Sequence, residues 1–167
     1  MAIHIIVDGY NLIGSEKGLK GNLESKRNLL IQQLRQYQER KGLPVTVVFD
    51  GWHSGWVHEV EERSGGITVI FSRQGEKADA VIQRLAREMS SGCVVVTSDR
   101  EVRSAAERSG AVAIYAGEFN AKLRNLDREI SIEEDEGLEE LRDEAKRGNP
   151  RRLSKRERKR RERLKKL

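Results

Sequence analysis

Asp8, Asp50 and Asp99 each close an apolar, β-branched run: Ile3-His4-Ile5-Ile6-Val7 precedes the first, Val45-Thr46-Val47-Val48-Phe49 the second, and Val94-Val95-Val96-Thr97-Ser98 the third. A fourth acid, Asp79, opens a segment with helical periodicity between them. Carboxylates held close together repel and raise one another's pKa unless a cation neutralises them. Acids in this pattern therefore point to a site for a hard divalent metal, provided the chain gathers them. Parallel strands of an open α/β sheet would do so, because residues just past their C-terminal ends meet along one edge.

The rest of the chain reads as the elements such a sheet needs. Gly14 to Asn22 reads as a loop, and Glu24 to Lys41 as a helix with Leu29, Leu30, Leu34 and Tyr37 at helical spacing, stopped by Gly42 and Pro44. Ile67–Phe71 reads as a further strand, bounded by Gly65-Gly66 and Gly75. From Glu76 to Ser91 the pattern puts Ala78, Val81, Ile82, Leu85, Ala86 and Met89 on one helical face, with Asp79 at its rim in the first turn. Arg100–Arg108 reads as a short helix, Val112–Tyr115 as a strand and Phe119–Leu126 as a last short helix. This alternation predicts a mostly parallel sheet covered by helices on both faces.

The chain has 167 residues, 37% of them hydrophobic, enough for one modest core. Its 35% charged residues are unevenly spread. Residues 146–167 hold 13 Lys or Arg and 2 Glu, a net of +11, which leaves residues 1–145 at −6. An acidic body thus carries a basic tail. The lone Cys93 opens a strand and reads as core, as suits a reducing cytoplasm. No signal-peptide pattern and no run of about 20 apolar residues is present, so a soluble cytoplasmic protein without a membrane partner is expected. Gly148-Asn149-Pro150 breaks the acidic segment Ile132–Glu144 from the tail, in which Ser154 to Glu157 could form a capping box.

The stretches Val7-Asp8-Gly9-Tyr10-Asn11-Leu12-Ile13, Phe49-Asp50-Gly51, Gly75-Glu76-Lys77-Ala78-Asp79 and Thr97-Ser98-Asp99-Arg100 together resemble the YacP-like branch of the NYN-domain proteins, relatives of the PIN-domain nucleases. The resemblance covers about residues 3 to 130. It implies a three-layer α/β/α PIN-like fold with a mostly parallel central sheet, and a metal-dependent ribonuclease. Asp8, Asp79 and Asp99 match the family's metal-binding acids, Asn11 its polar companion, and Asp50 a further ligand. Many relatives carry another acid a few residues beyond the position of Asp99; here Arg103 stands one helical turn on, and Glu101 is expected to point elsewhere. The expected organisation is a nuclease domain over 1–130, an acidic helical extension over 131–149, and a basic tail over 150–167, disordered alone and helical on RNA.

Phosphodiester hydrolysis needs neutralised non-bridging and leaving oxygens and a hydroxide at neutral pH, which Mg²⁺ or Mn²⁺ held by carboxylates and waters supplies. Asp8 and Asp99 are the expected primary ligands, because their strands should be adjacent at the centre of the sheet. Asp79 would complete the set or orient the attacking water, Asp50 would bind through water, Asn11 would hold a ligand or the scissile phosphate, and Glu76 is a further candidate. Arg73, Lys77 and Arg100 could offset substrate phosphates. In the tail, Arg151, Arg152, Lys155, Arg156, Arg158, Lys159, Arg160 and Arg161 are dense enough to hold RNA or a ribosomal surface through counterion release.

Plainer roles exist. Asp99 could simply cap a helix and Asp8-Gly9 form a turn. Trp52 and Trp56 read as a lid over the core rather than a base-stacking pair, and His53 and His58 as surface residues. The function these features predict is an endoribonuclease acting on single-stranded or flexible RNA. A non-catalytic RNA-binding module and a nucleotide phosphohydrolase are the other functions open to the same residues.

Overall fold

The computed structural model describes residues 3–51 and 57–147, with side chains to 142. The chain divides into two units, Met1–Leu123 and Arg124–Leu167. In the first, a six-stranded sheet is built from β1 (His4–Asp8), β2 (Val45–Phe49), β3 (Val60–Ser64), β4 (Ile67–Phe71), β5 (Cys93–Val96) and β6 (Val112–Ile114). Its order is β3-β4-β2-β1-β5-β6. All neighbours are parallel except β3, which pairs antiparallel with β4 on the edge.

β1 lies at the centre because its run is apolar on both sides: Ile5, Ile6 and Val7 are all buried. From β1 the chain first winds toward β2 and β4, then crosses back to β5 on the other flank. The topological switch point therefore falls between β1 and β5, where Asp8 ends one strand and Asp99 follows the other. The expected adjacency of these two strands is met, with Val7 in register with Val96.

Helices cover both faces. Helix α1 (Gly9–Glu16) and helix α2 (Leu23–Lys41) pack over β1, β2 and β4. Asn22 caps α2 by accepting the Ser25 N–H at 3.2 Å, and Gly42 ends it in the left-handed conformation at φ 69°. Helix α3 (Ala78–Met89) and helix α4 (Arg100–Arg108) cover the other face, where Val81, Ile82, Ala86, Val102 and Ala106 pack with Ile6, Val48, Ile70 and Val95. Helix α5 (Ala116–Arg147) starts in the first unit on the α1/α2 side: Phe119 meets the Tyr37 ring edge-on at 5.2 Å, and the Asn120 side chain donates to the Leu12 carbonyl at 2.9 Å.

The three-layer α/β/α expectation holds, with four differences. The chain after Asp8 does not turn at Gly9; it enters α1 at once. Val60–Ser64 is a strand the alternation missed, since its exposed Glu61, Glu62 and Arg63 show no apolar side, as befits a charged sheet edge. The two-residue Gly65-Gly66 turn closing this hairpin was its one sequence mark. The helix expected from Glu76 starts at Ala78, because Glu76 and Lys77 still belong to the loop after β4. Finally, the separate short helix Phe119–Leu126 and the acidic segment are parts of α5.

In the second unit, α5 continues as an acidic helix with Leu138 and Leu141 exposed. Among the described residues no helix is long and apolar enough to cross a membrane. Trp52, His53, Trp56 and the whole of 150–167, including the eight basic tail residues and the Ser154–Glu157 box, lie outside the described residues.

Candidate active site

The sheet's C-terminal edge brings the four acids together. A cleft of about 330 Å³ is lined by Asp8, Asp50, Asp79, Ala78 and Lys77 together with Tyr10, Leu19 and Leu23. Asp99 adjoins it, close enough for its charge to act on both Asp8 and Asp79.

Asp8 is the most constrained of them. It is buried at the end of β1 with its side chain on the α3/α4 face, level with Val48 across the sheet. Burial pushes its pKa up to about 7, helped by the negative charge of Asp79 and, less, of Asp99; the Thr97 hydroxyl and the Asn11 backbone amide work in the opposite sense. Asp79, in the first turn of α3, is also raised, first by desolvation and then by Asp99, with Lys77 opposing and Asp50 and Glu101 adding to the rise. Glu101, exposed in the first turn of α4, adds the smallest of these contributions.

Asp99 takes the capping role and keeps a free hand. Its Oδ1 accepts the Glu101 and Val102 N–H groups at 2.9 and 3.1 Å, which starts α4. A carboxylate has a second oxygen, so capping and ligation are compatible in one residue.

Two side chains missed by residue-type reasoning, Thr97 and Ser72, hold the acids in register, and a third, Tyr10, lines the cleft beside them. Thr97 Oγ1 accepts the Asp99 N–H at 3.1 Å and donates to Asp8 Oδ2 at 3.1 Å, linking the two acids across β1 and β5. Ser72, fully buried, accepts the Gly51 N–H at 2.9 Å and donates to the Glu76 carbonyl at 2.7 Å, tying the loop of Asp50 to the loop that launches Asp79. Tyr10 lines the cleft with its hydroxyl held by Arg27 Nη1 at 3.0 Å. Asn11 differs in part from its expected role: its Oδ1 accepts the Ser98 N–H at 2.8 Å, which leaves its NH₂ end to offer a ligand. No sequence pattern marks such pairs, whose partners are up to 89 residues apart.

The basic candidates are spread around this edge. Lys77 lines the cleft, Arg100 is exposed at the start of α4, and exposed Arg73 is ion-paired with Glu76 at 2.9 Å. His58 is exposed, as expected. The donor set is all oxygen, and burial, with neighbouring carboxylates adding to it, raises the pKa of Asp8 and Asp79; all-oxygen donors of this kind suit a hard divalent ion. Among the described residues no group of three or more acidic, His or Cys side chains stands close enough to hold a metal ion by itself. Magnesium is commonly held by one or two carboxylates with waters and substrate oxygens, so an open set suits it.

Across known proteins, the sequence model of the YacP-like NYN domain matches residues 5–166. The chain belongs to the YacP-like NYN-domain family. YacP of Bacillus subtilis (strain 168) is 35% identical over 133 residues, covering 75% of this chain and 78% of that one. A crystal structure of Rae1 (YacP) from Bacillus subtilis with one tryptophan-to-leucine substitution superposes with a TM-score of 0.69 at 32% identity, covering 83% of this chain and 86% of the other. A second crystal structure of Rae1 (YacP) gives 0.64 at 29% identity, with 89% and 96% covered. YacP-like NYN domains form a PIN-like nuclease family that usually uses divalent metals, which makes this chain an RNA-related nuclease in broad class.

Proposed function

We propose that this protein is a metal-dependent endoribonuclease that hydrolyses phosphodiester bonds in single-stranded or flexible RNA. The observation that carries the reading is Asp8, a buried acid pushed to about 7 among acidic neighbours at the switch point of a nuclease-family sheet. Such an elevated acid in a cleft is the mark of a functional site. A bound Mg²⁺ or Mn²⁺ would neutralise charge on the phosphate oxygens and supply hydroxide at neutral pH.

In this proposal Asp8 and Asp99 would hold the ion, with Asp8 oriented by Thr97 and Asp99 fixed by its cap. Asp79 orients the attacking water, and Asp50 contributes through water. Lys77 and Arg100 receive phosphates on either side of the cluster, and the Asn11 NH₂ contacts the scissile one. Leu19, Leu23 and Tyr10 line the same cleft as the acids and give it an apolar flank. The basic tail adds sequence-independent affinity for RNA or a ribosomal surface.

The test is cleavage of an end-labelled single-stranded RNA in Mn²⁺, Mg²⁺ or EDTA, with Asp99→Asn beside the wild type. Asparagine still caps a helix, so the variant should fold. Cleavage that requires metal and falls roughly ten- to a hundredfold in the variant is expected. No cutting of free or ribosome-bound RNA, or cutting indifferent to both EDTA and the substitution, would end the reading.

Asn11 offers a second check. Removing its link to Ser98 in Asn11→Ala should loosen the β5–α4 loop and lower kcat about tenfold, while stability changes by only ~1 kcal/mol, because the bond is exposed. Steady-state kinetics and a thermal melt on the same preparation measure both.

A further inference from the structure

Tyr115 follows β6, one strand beyond β5, and the residue is half exposed at 52%. One face of the ring is covered by the Arg103 guanidinium, whose carbon sits 3.6 Å from the ring centroid. That guanidinium is itself fixed, donating to the Thr97 carbonyl at 3.2 Å and the Ala113 carbonyl at 3.3 Å. Arg103 is thus committed to holding a tyrosine.

The platform is tied to the acid cluster by the backbone. Thr97 N–H donates to the Ile114 carbonyl at 3.1 Å, Ala116 N–H to Ser98 Oγ at 3.1 Å, and Tyr115 N–H to Glu118 Oε1 at 3.2 Å. Val7, Val96 and Ile114 are in register across β1, β5 and β6, and Asp8, Thr97 and Tyr115 each follow by one residue. Two strand spacings place Tyr115 about 10 Å from Asp8, within reach of a nucleotide adjoining one whose phosphate lies at the acids.

We infer that Tyr115, backed by Arg103, is a stacking platform for one unpaired base of the RNA strand beside the scissile phosphate. The inference rests on the ribonuclease reading and names a subsite for it. A fixed aromatic face next to a positive charge is how sequence-tolerant single-strand sites hold bases. A base held there would also require the strand to be unstacked, selecting single-stranded over paired RNA.

The experiment measures binding of a short single-stranded RNA to the full chain in EDTA, so that affinity is read without cleavage. Wild type, Tyr115→Ala and Tyr115→Trp are each titrated with the intact oligonucleotide and with versions carrying one abasic nucleotide at successive positions. Tyr115→Ala should bind the intact RNA roughly tenfold more weakly. At one position the abasic nucleotide should weaken wild-type binding by a similar factor and cost Tyr115→Ala nothing more, while Tyr115→Trp behaves as wild type. A 2-aminopurine at that position should be quenched by the wild type and not by Tyr115→Ala.

Equal affinities for wild type and Tyr115→Ala, with the same abasic penalties at every position, would overturn the inference. Cleavage in Mn²⁺, assayed in parallel on the wild type, separates the two ideas. Metal-dependent cutting without coupling at Tyr115 removes the subsite alone, and coupling without any cutting leaves a base-binding site on a protein that is not a nuclease.

Discussion

At pH 8 without metal, Asp8→Asn is expected to melt roughly 5–10 °C above the wild type, and in Mn²⁺ to cleave RNA a hundred- to a thousandfold more slowly. Both outcomes come from one cause. Asp8 is held at about 7 instead of 3.8, chiefly by burial and then by Asp79. The folded state therefore binds the proton more tightly than the unfolded chain does. Below pH ~4 both forms are protonated and the fold bears no cost. As pH rises from about 4 to about 7, the unfolded chain ionises readily while the folded one resists, and stability is lost across that window.

A difference of about three pKa units corresponds to at most roughly 4 kcal/mol. Asparagine has nearly the same shape, carries no charge and still accepts from Thr97 through its amide oxygen, so much of that cost should be relieved. The activity falls because the neutral amide is a poorer ligand for a hard cation. Thermal melts of both proteins from pH 4 to 8 measure the first outcome: the wild type should decline and the variant should stay flatter. Adding Mn²⁺ should raise the wild-type melting temperature more at pH 8 than at pH 6, since the ion must displace a proton. An Asp8→Asn protein less stable than wild type at pH 8 would show that Asp8 ionises in the fold without cost.

How much of this was legible depended on how far apart in the chain the determining contacts lie. Strands that end in acids are local patterns, so the central sheet, the β1–β5 adjacency and the edge shared by Asp8, Asp50, Asp79 and Asp99 could be read directly. Helix α1 could not, because Gly9 and Gly14 look like turn residues until Phe49 supplies the reason for the first. Strand β3 was hidden because Val60–Ser64 is an exposed edge whose side chains answer to solvent rather than to a core. Thr97, Ser72 and the amide oxygen of Asn11 act through bonds to residues 21 to 89 positions away, and residue type carries no sign of such partners. The unity of α5 was obscured because polar Arg128, Glu129 and Ser131 interrupt the apolar spacing, while a helix needs no apolar face where it is solvated.

Gly9→Ala is the substitution expected to damage the fold most for its size. Alanine is the better helix former by about 1 kcal/mol, so by propensity alone the change would help α1. The added methyl would instead run into the edge of the Phe49 ring. That ring cannot step aside: it is fully buried, 5.2 Å from the Tyr10 ring edge-on and 5.6 Å from the Phe71 ring stacked. Arg27 in turn lies over Phe71 and holds the Tyr10 hydroxyl. Overpacking of this kind costs about 1–3 kcal/mol, and here it should outweigh the gain in propensity. The displaced ring would carry Tyr10 with it, and Tyr10 lines the cleft beside Asp8, so RNA cleavage should fall as well. Melting all four members of a cycle with Phe49→Leu isolates the cause. If the methyl and the ring compete for one space, Gly9→Ala/Phe49→Leu should be more stable than the sum of the single losses by at least ~1 kcal/mol. Additive losses would instead place the strain of Gly9→Ala in the backbone where β1 passes into α1.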